Sequence, residues 1–408
     1  MPATIVQVRP MIDSFCVLRE KIRETRYLEY AILIFIAGFF LAWNTRIHRD
    51  IYYFAVLIPF LLIPDSKVIR TAFRTPVFLF FLAFIIYMLM TMLWSPNLDI
   101  DAVYDRFRYA FLSLSFILVV AFLSYRDTTW VCRLAMGLTP FAIVTLVASV
   151  FLFYGDGFSF PRDRLLNMLF YRDNPLRGSL PFGVLAVLCG ACLMRPLPSS
   201  WRTVLLVGLP ISFVFLMLAQ SRGQVLGIFL ALVLCIILDR RWLWVIVLMG
   251  FAVLVVAMTQ TSAGGMNGFL DRADSHRLEL WTIILERAMH SPWLGEGIET
   301  TRAFQLGNRV TLYSTHNIWL TVFLFGGIAG VLTFGAMVAV SLREALRVGI
   351  VNHHWVPFCL MIFGLTHLFF NGNHPISRID PDFYLALFLP VGLLVGSQTR
   401  RLLDVPDS

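Results

Sequence analysis

The chain has 408 residues, of which 58% are hydrophobic and 14% charged, and it carries a formal net charge of +8. Its mean hydropathy is +0.77, and its charged fraction lies well below the roughly 25% of soluble domains. No water-soluble fold can bury so much apolar surface, so this composition excludes soluble classes. It predicts an integral membrane protein whose surroundings are lipids and not nucleic acid.

Uninterrupted apolar runs predict about twelve transmembrane helices, since a span needs about 20 apolar residues. The predicted spans are 28–43, 51–64, 75–94, 109–124, 134–154, 179–194, 203–219, 224–238, 242–258, 317–341, 355–371 and 383–397. The second is short, so it is predicted to be tilted or interfacial. Little sequence remains for anything but connections. We therefore expect an all-α protein with one polytopic domain, residues 1–408.

Positive charge near a span resists translocation, so basic residues in alternate connections predict the orientation. The connections on the side of both termini hold 18 basic and 10 acidic residues, against 15 and 15 on the other side. Both termini are therefore predicted to be cytoplasmic, with residues 1–27 forming an uncleaved tail.

The basic residues predicted on the outer face are all arginines, whereas the two lysines, Lys21 and Lys67, are predicted to be cytoplasmic. Arginine presents a planar, permanently charged fork that suits phosphate or carboxylate. This distribution suggests an anionic ligand on the outer face. The alternative is that these arginines pair with outer aspartates and glutamates.

Six cysteines are present, all predicted to be cytoplasmic or within spans, so no disulfide is expected on the outer face. Cys189-Gly190-Ala191-Cys192 has the spacing of a redox motif. It lies within an apolar run, where small residues normally allow close helix packing, and packing is the favoured interpretation.

The connection at 259–316 is the longest and is predicted to be a large, partly helical loop on the outer face. A helix is predicted from Ser275, which can cap it, to Met289. Arg277 and Trp281 are four residues apart and therefore share one face of that helix. Taken alone, such a helix is more typical of an amphipathic element at the membrane interface.

Two further polar positions lie at the same predicted membrane depth. His316 and Asn317 stand where the long loop meets the tenth span, and histidine is the side chain best suited to proton transfer near neutral pH. The turn Ser221-Arg222-Gly223 connects the seventh and eighth spans and places a charge where membrane insertion is costly.

In their order and topology, these motifs resemble the bacterial O-antigen ligase family. The motifs are the Ser-Arg-Gly turn, the Arg-x-x-x-Trp helix leading to Pro and Gly-x-Gly, and the His-Asn pair that opens the next span. The resemblance implies a polytopic fold like that of the GT-C glycosyltransferases. It also implies transfer of a glycan from undecaprenyl pyrophosphate to a sugar hydroxyl of the lipid A core, at the periplasmic face of the Gram-negative inner membrane.

The family's essential histidine maps onto His316, and its two essential arginines map onto Arg222 and Arg277. The chemistry fits these residues, because the arginines can neutralise a pyrophosphate leaving group and the histidine can act as general base toward the acceptor hydroxyl. Such a single displacement inverts the anomeric centre. The resemblance implies no metal and no other cofactor.

Secondary candidates for contacts with the substrates follow from position. Arg164 and Arg172 belong to the loop at 155–178, Asn317 adjoins His316, and Trp281 shares a face with Arg277. For Asn317, capping of the following helix is the alternative role.

Two Asp-x-Asp patterns, Asp99-Ile100-Asp101 and Asp380-Pro381-Asp382, raise the alternative of a metal-dependent transferase. Pairing within the loop and helix capping suffice to explain the first pattern, and helix capping explains the second. Because the resemblance implies a metal-independent family, the expectation is metal independence.

Other functions remain open at this point. A flippase or exporter of lipid-linked sugars would also have about twelve spans, but it would carry charges along a midplane cavity, and here His367 is the main ionisable residue within a span. Among enzymes, an O-antigen polymerase or a protein O-oligosaccharyltransferase could share the three central residues. The sequence ends about ten residues after its last predicted span, which favours a ligase.

Overall fold

In the computed structural model, the described residues are 26–41, 45–62, 66–96, 98–157, 163–170, 174–240, 277–301, 303–306, 310–312 and 314–403. Within them the protein is helical, apart from one small hairpin. The helices are α1 (Tyr27–Leu41), α2 (Thr45–Ile51, continued by Tyr52–Leu57 and Ile58–Leu62), α3 (Ser66–Ala72), α4 (Pro76–Met90), α5 (Ile100–Arg126), α6 (Trp130–Gly155), α7 (Pro175–Leu193), α8 (Ser199–Leu218), α9 (Arg222–Leu238), α10 (Arg277–Ala288), α11 (Ile318–Asn352), α12 (Val356–Asn371) and α13 (Pro381–Leu402).

Seven of the described helices are long and apolar enough to cross a membrane, or eight if α2 and α3 together form one broken span. Helices α1, α9 and α12 are shorter apolar helices. Together these elements coincide with eleven of the predicted spans. The span predicted at 242–258 lies outside the described residues, so the count of twelve stays a prediction.

Small residues let the helices approach closely, as expected where lipid provides no hydrophobic drive for association. A Cβ added at Gly190 would lie 2.9 Å from the side chain of Leu232, and one at Gly183 would lie 2.6 Å from Phe363. Cys189 and Cys192 are buried and unbridged in α7. The predicted packing role of the Cys-Gly-Ala-Cys segment is thereby confirmed.

Side-chain caps begin five of the described helices, one of them α4, which Thr75 caps. Asp99 accepts from the backbone N–H of Ala102 at 2.5 Å, and Asp380 accepts from that of Phe383 at 3.2 Å. Asn317 accepts from Trp319 N at 2.9 Å, and Asn174 caps α7 in the same way. The predicted capping roles of Asp99, Asp380 and Asn317 are confirmed. We call the end of the bundle where α5, α7, α9, α11 and α13 begin the site face.

Helix α11 is broken at Gly327, whose φ of 60° and ψ of −159° are not helical. The turn after α10 docks into this break: Glu296 N donates to Leu324 O at 2.8 Å, and Gly297 N donates to Phe325 O at 2.9 Å. Ile328 N donates to Pro292 O at 2.8 Å. The Pro and Gly-x-Gly motif therefore satisfies the backbone groups that the break leaves unpaired.

Helix α10 follows the prediction for the long loop, with Leu280, Ile284 and Ala288 buried along one side. The predicted cap at Ser275 lies outside the described residues. An antiparallel hairpin, β1 (Phe304–Leu306) and β2 (Val310–Leu312), was not predicted. Its strands have three residues each, too short to show the alternation by which a strand is recognised.

Candidate active site

His316 lies in the short connection that leads from the long loop into α11. Its backbone has a φ of 50°, a left-handed conformation that is uncommon for residues other than glycine. The Trp281 indole Nε1 donates to Thr315 O at 3.2 Å, which ties this connection to α10. Asn317 then caps α11. A left-handed backbone at a residue other than glycine, as at His316, persists only where the surroundings enforce it, and such residues are frequent at functional sites.

The pKa of His316 is lowered from its ordinary 6.5, chiefly because the imidazole is partly buried and next because of the positive charge of Arg277. The charge of Asp382 raises the pKa, and that of Arg177 lowers it further. The imidazole makes no hydrogen bond to another described residue. A neutral ring with an available nitrogen can accept a proton.

Arg277 is the first residue of α10, and its guanidinium lies 5.8 Å from the centre of the Phe370 ring. Its Nη2 donates to Asn371 Oδ1 at the long distance of 3.4 Å. Burial lowers the pKa of Arg277, but an arginine remains charged in proteins. The structure thus holds a partly desolvated positive charge close to His316.

Arg222 is the first residue of α9. Two residues before it, Gln220 has a left-handed backbone with a φ of 50°. A Cβ added at the next residue, Gly223, would lie 3.7 Å from the Phe370 ring. Phe370 therefore adjoins both the start of α9 and Arg277. The Ser-Arg-Gly turn and the Arg-x-x-x-Trp helix, far apart in sequence, meet at this one aromatic side chain.

The start of α9 is also fixed against the start of α7. Ser221 Oγ and Ser179 Oγ lie 3.1 Å apart, and Gln224 Nε2 donates to Leu176 O at 2.8 Å. This brings Arg177, in the first turn of α7, to the same end of the bundle. Basic residues are normally favoured at helix C-termini, because the macrodipole makes the N-terminus positive. An arginine at a helix start adds its positive charge to that field.

A buried polar chain that the sequence did not predict runs behind these residues. Arg177 Nε is 3.1 Å from Asp382 Oδ2, and His367 Nε2 is 3.0 Å from Asp382 Oδ1. Asn371 Nδ2 lies 3.5 Å from His367 Nδ1, and Asn371 Oδ1 accepts from Arg277 Nη2. The Asp-x-Asp pattern and the intramembrane histidine were visible signals. Nothing in the sequence indicated that they pair with each other.

Comparison with known proteins gives two matches. Residues 207–335 match a family model described as O-antigen ligase. The chain is 24% identical over 377 residues to an O-antigen ligase of Pseudomonas aeruginosa, covering 89% of this chain and 88% of that protein. The resemblance to the O-antigen ligase family is confirmed. That family implies a glycosyl-transfer reaction and a multi-pass membrane protein.

The O-antigen ligase match includes Arg222, Arg277 and His316, whereas Arg177 and Asp382 lie outside residues 207–335. The structure therefore places Arg177 of α7 and Asp382 of α13, which lie outside the matched region, beside the residues of the family motifs.

The secondary candidates have different surroundings. Arg164 donates to the carbonyl of Ala219, just before the turn that carries Arg222, at 3.1 Å. Trp281 holds the His316 connection through the bond described above. Asn317 is buried and uses its side-chain oxygen as the helix cap. Arg172 lies outside the described residues. Substrate contacts by these four residues stay predictions.

Metal coordination was the alternative suggested by the Asp-x-Asp patterns. Across the described ranges, no three His, Cys, Asp or Glu side chains are grouped so that they could hold a metal ion. Metal independence stays a prediction that requires a chelation experiment.

Proposed function

We propose that this protein is an O-antigen ligase that transfers O-antigen polysaccharide from undecaprenyl pyrophosphate to a sugar hydroxyl of lipid A-core. The reaction takes place at the periplasmic face of the Gram-negative inner membrane, with both protein termini in the cytoplasm. It is inverting and needs neither metal nor cofactor. The observation that carries the proposal is the contact between Trp281, one turn after Arg277 in α10, and the peptide beside His316. The lowered pKa of His316, to which the charge of Arg277 contributes, supports it.

Arg277 and Arg222 bind the diphosphate of the donor. Arg222 stands at the start of α9, where the macrodipole and the first backbone N–H groups of the helix also favour an anion. Negative charge grows on the leaving diphosphate as the glycosidic bond breaks, so these contacts strengthen in the transition state. A diphosphate neutralised in this way leaves without protonation.

His316 activates the acceptor. An imidazole nitrogen takes the proton of the acceptor hydroxyl while the hydroxyl oxygen forms a bond to the anomeric carbon. The bond from that carbon to the diphosphate oxygen breaks, and its electron pair leaves with undecaprenyl pyrophosphate. Attack occurs opposite the leaving group, so the configuration inverts. A general base of this kind contributes typically 10²- to 10⁴-fold in rate.

The test is transfer by the purified protein in detergent or nanodiscs, with lipid-linked glycan and lipid A-core. Substitution His316→Ala is expected to lower the rate by at least about 10²-fold, and Arg222→Ala and Arg277→Ala are expected to lower it strongly. His290→Gln and Arg202→Ala are controls, because both residues are exposed and lie outside the site. EDTA is expected to change nothing.

Each alternative gives a different result in this assay. A flippase would form no product from either substrate. A polymerase would extend the lipid-linked glycan without lipid A-core, and a protein oligosaccharyltransferase would require a polypeptide acceptor. Retained activity of His316→Ala would remove the assignment of the base, and inhibition by EDTA would restore the metal-dependent mechanism.

A further inference from the structure

A cavity of about 490 Å³ opens on the site face, where α5, α7 and α13 begin. This volume lies within the roughly 300–1,000 Å³ that is usual for small-ligand pockets. Both Asp-x-Asp patterns line it, although they are almost 300 residues apart in sequence: Asp99 and Asp101 from one side, Asp380 and Asp382 from the other. The proposed mechanism makes no use of this cavity.

The charge of the cavity argues against an anionic ligand. Its lining contains the carboxylates of Asp99, Asp101, Asp105, Glu299, Asp380 and Asp382 and the guanidiniums of Arg106, Arg177 and Arg378. Carboxylates therefore outnumber guanidiniums by three. Two of the arginines are already engaged, because Arg106 pairs with Glu299 and Arg177 pairs with Asp382. A diphosphate would meet repulsion here, in contrast to the arginines around His316.

The same lining suits an uncharged sugar. Carboxylate oxygens accept hydrogen bonds from hydroxyl groups, and the partly exposed ring of Tyr109 offers apolar surface for the C–H face of a sugar. Asn373 Oδ1 is buried and has no hydrogen-bond partner among the described residues. An orphaned acceptor of this kind is costly unless a ligand or water satisfies it.

The cavity also adjoins the reacting centre. Arg177 and Asp382 line it, and the contacts described above lead from Asp382 through His367 and Asn371 to Arg277. The charges of Arg177 and Asp382 also act on the pKa of His316. A sugar held in the cavity can therefore present a hydroxyl toward the proposed base. The donor sugar is one bond from the diphosphate and would bring that anion close to the carboxylates. The acceptor hydroxyl carries no charge.

We propose that this cavity binds the uncharged sugar ring that supplies the acceptor hydroxyl. The inference rests on the proposed function, and it assigns the acceptor subsite to α5, α7 and α13. The matched family region begins at residue 207 and includes none of these helices.

The experiment uses the full chain in nanodiscs and varies the concentrations of donor and acceptor separately. Asp101→Asn removes an exposed carboxylate of the lining and keeps its shape, and Ala102→Trp fills the cavity from the first turn of α5. Asp101→Asn is expected to raise the KM for the acceptor by roughly fivefold, the effect of one lost hydrogen bond. Ala102→Trp is expected to raise it much further because the indole occupies the cavity, while kcat and the donor KM stay within about twofold in both variants. Asp50→Asn is the control, since Asp50 is half exposed and outside the cavity.

Binding of delipidated core oligosaccharide, measured by saturation-transfer difference NMR, gives a readout without catalysis. The Ala102→Trp variant is expected to abolish the signal that the wild type shows. Unchanged acceptor KM and binding in both variants, with wild-type transfer intact, would overturn the subsite alone, and so would a rise in the donor KM. Wild-type protein that binds the oligosaccharide through this cavity but makes no product would overturn the proposed function and leave the glycan site standing.

Discussion

Arg177 and Asp382, 205 positions apart in sequence, form an ion pair whose Nε and Oδ2 atoms are 3.1 Å apart. The Asp382 side chain is only 4% exposed, whereas that of Arg177 is 30% exposed. Asp382 also accepts from His367, so one carboxylate joins α7, α12 and α13. Two of these helices, α7 and α13, also line the acidic cavity. Their relative position therefore depends on this buried carboxylate.

The ion pair is expected to contribute to stability as a unit. Arg177→Ala leaves the Asp382 carboxylate without its guanidinium, so the single substitution should destabilise the protein more than Arg177→Ala does in an Asp382→Asn background. We expect a coupling energy on the order of 1 kcal/mol. Thermal unfolding of the two single variants and the double variant measures it. Strictly additive effects would show that the pair is not coupled.

The lowered pKa of His316 predicts the acid limb of the pH profile. The base works only when neutral, so activity is lost as pH falls through the pKa of His316 in the folded protein. Burial and Arg277 lower that pKa below 6.5, so the acid limb of kcat/KM should have its midpoint below pH 6.5. Arg177→Gln removes one of the lowering charges and should move the midpoint upward.

The pKa of His316 is measured directly by NMR of histidine-labelled protein, with His316→Gln identifying the signal. A midpoint above pH 6.5 for the wild type would contradict the electrostatic description of the site.

The break in α11 predicts opposite results for two glycines of the same helix. Gly327 has a φ of +60°, and a Cβ there would lie 2.4 Å from the backbone of Trp293. Gly327→Ala should therefore destabilise the protein by at least about 2 kcal/mol, from strain and from loss of the docked turn. Gly335 is helical, and a Cβ there would approach only Trp319, at 3.9 Å.

Gly335→Ala should accordingly be neutral or stabilising by up to about 1 kcal/mol. Denaturation in detergent compares the two variants. An equal loss of stability in both variants would mean that the break in α11 does not require glycine at position 327.

The helices of this fold were predictable, because a span leaves a run of apolar residues that few other structures require. The caps at Asp99, Asn317 and Asp380 were also predictable from local sequence, because Asp and Asn are common caps where they stand just before a predicted helix. The break at Gly327 was not, since Gly326-Gly327 inside an apolar run resembles ordinary small-residue packing. Only the hydrogen bonds from the turn at 292–297 show what the glycines do.

The candidate site was predictable in part, because a charged residue at a membrane boundary is costly and therefore stands out in the sequence. Arg222, Arg277 and His316 each interrupt an apolar boundary. The structure brings the starts of α9 and α10 together around Phe370, and Trp281 ties the His316 connection to α10. The pattern that contains Asp382 was interpreted as a helix cap, with metal binding as the alternative, because a two-residue acidic pattern before a span suits both roles. Its partners, Arg177 and His367, lie on other helices, and such pairing depends on three-dimensional packing that one sequence does not reveal.

Trp281 gives a final prediction, because it touches the peptide next to His316 without being part of the proposed chemistry. Its indole N–H donates to Thr315 O at 3.2 Å, and Thr315 is buried. Trp281→Phe keeps most of the apolar ring and removes this bond, so the left-handed backbone at His316 loses one of its supports. We expect kcat to fall by on the order of tenfold, since small misplacements of a catalytic group are costly, with both KM values nearly unchanged. Trp293→Phe is the matched control, because Trp293 is 72% exposed. A rise in the KM of either substrate with kcat intact would instead make Trp281 a binding residue.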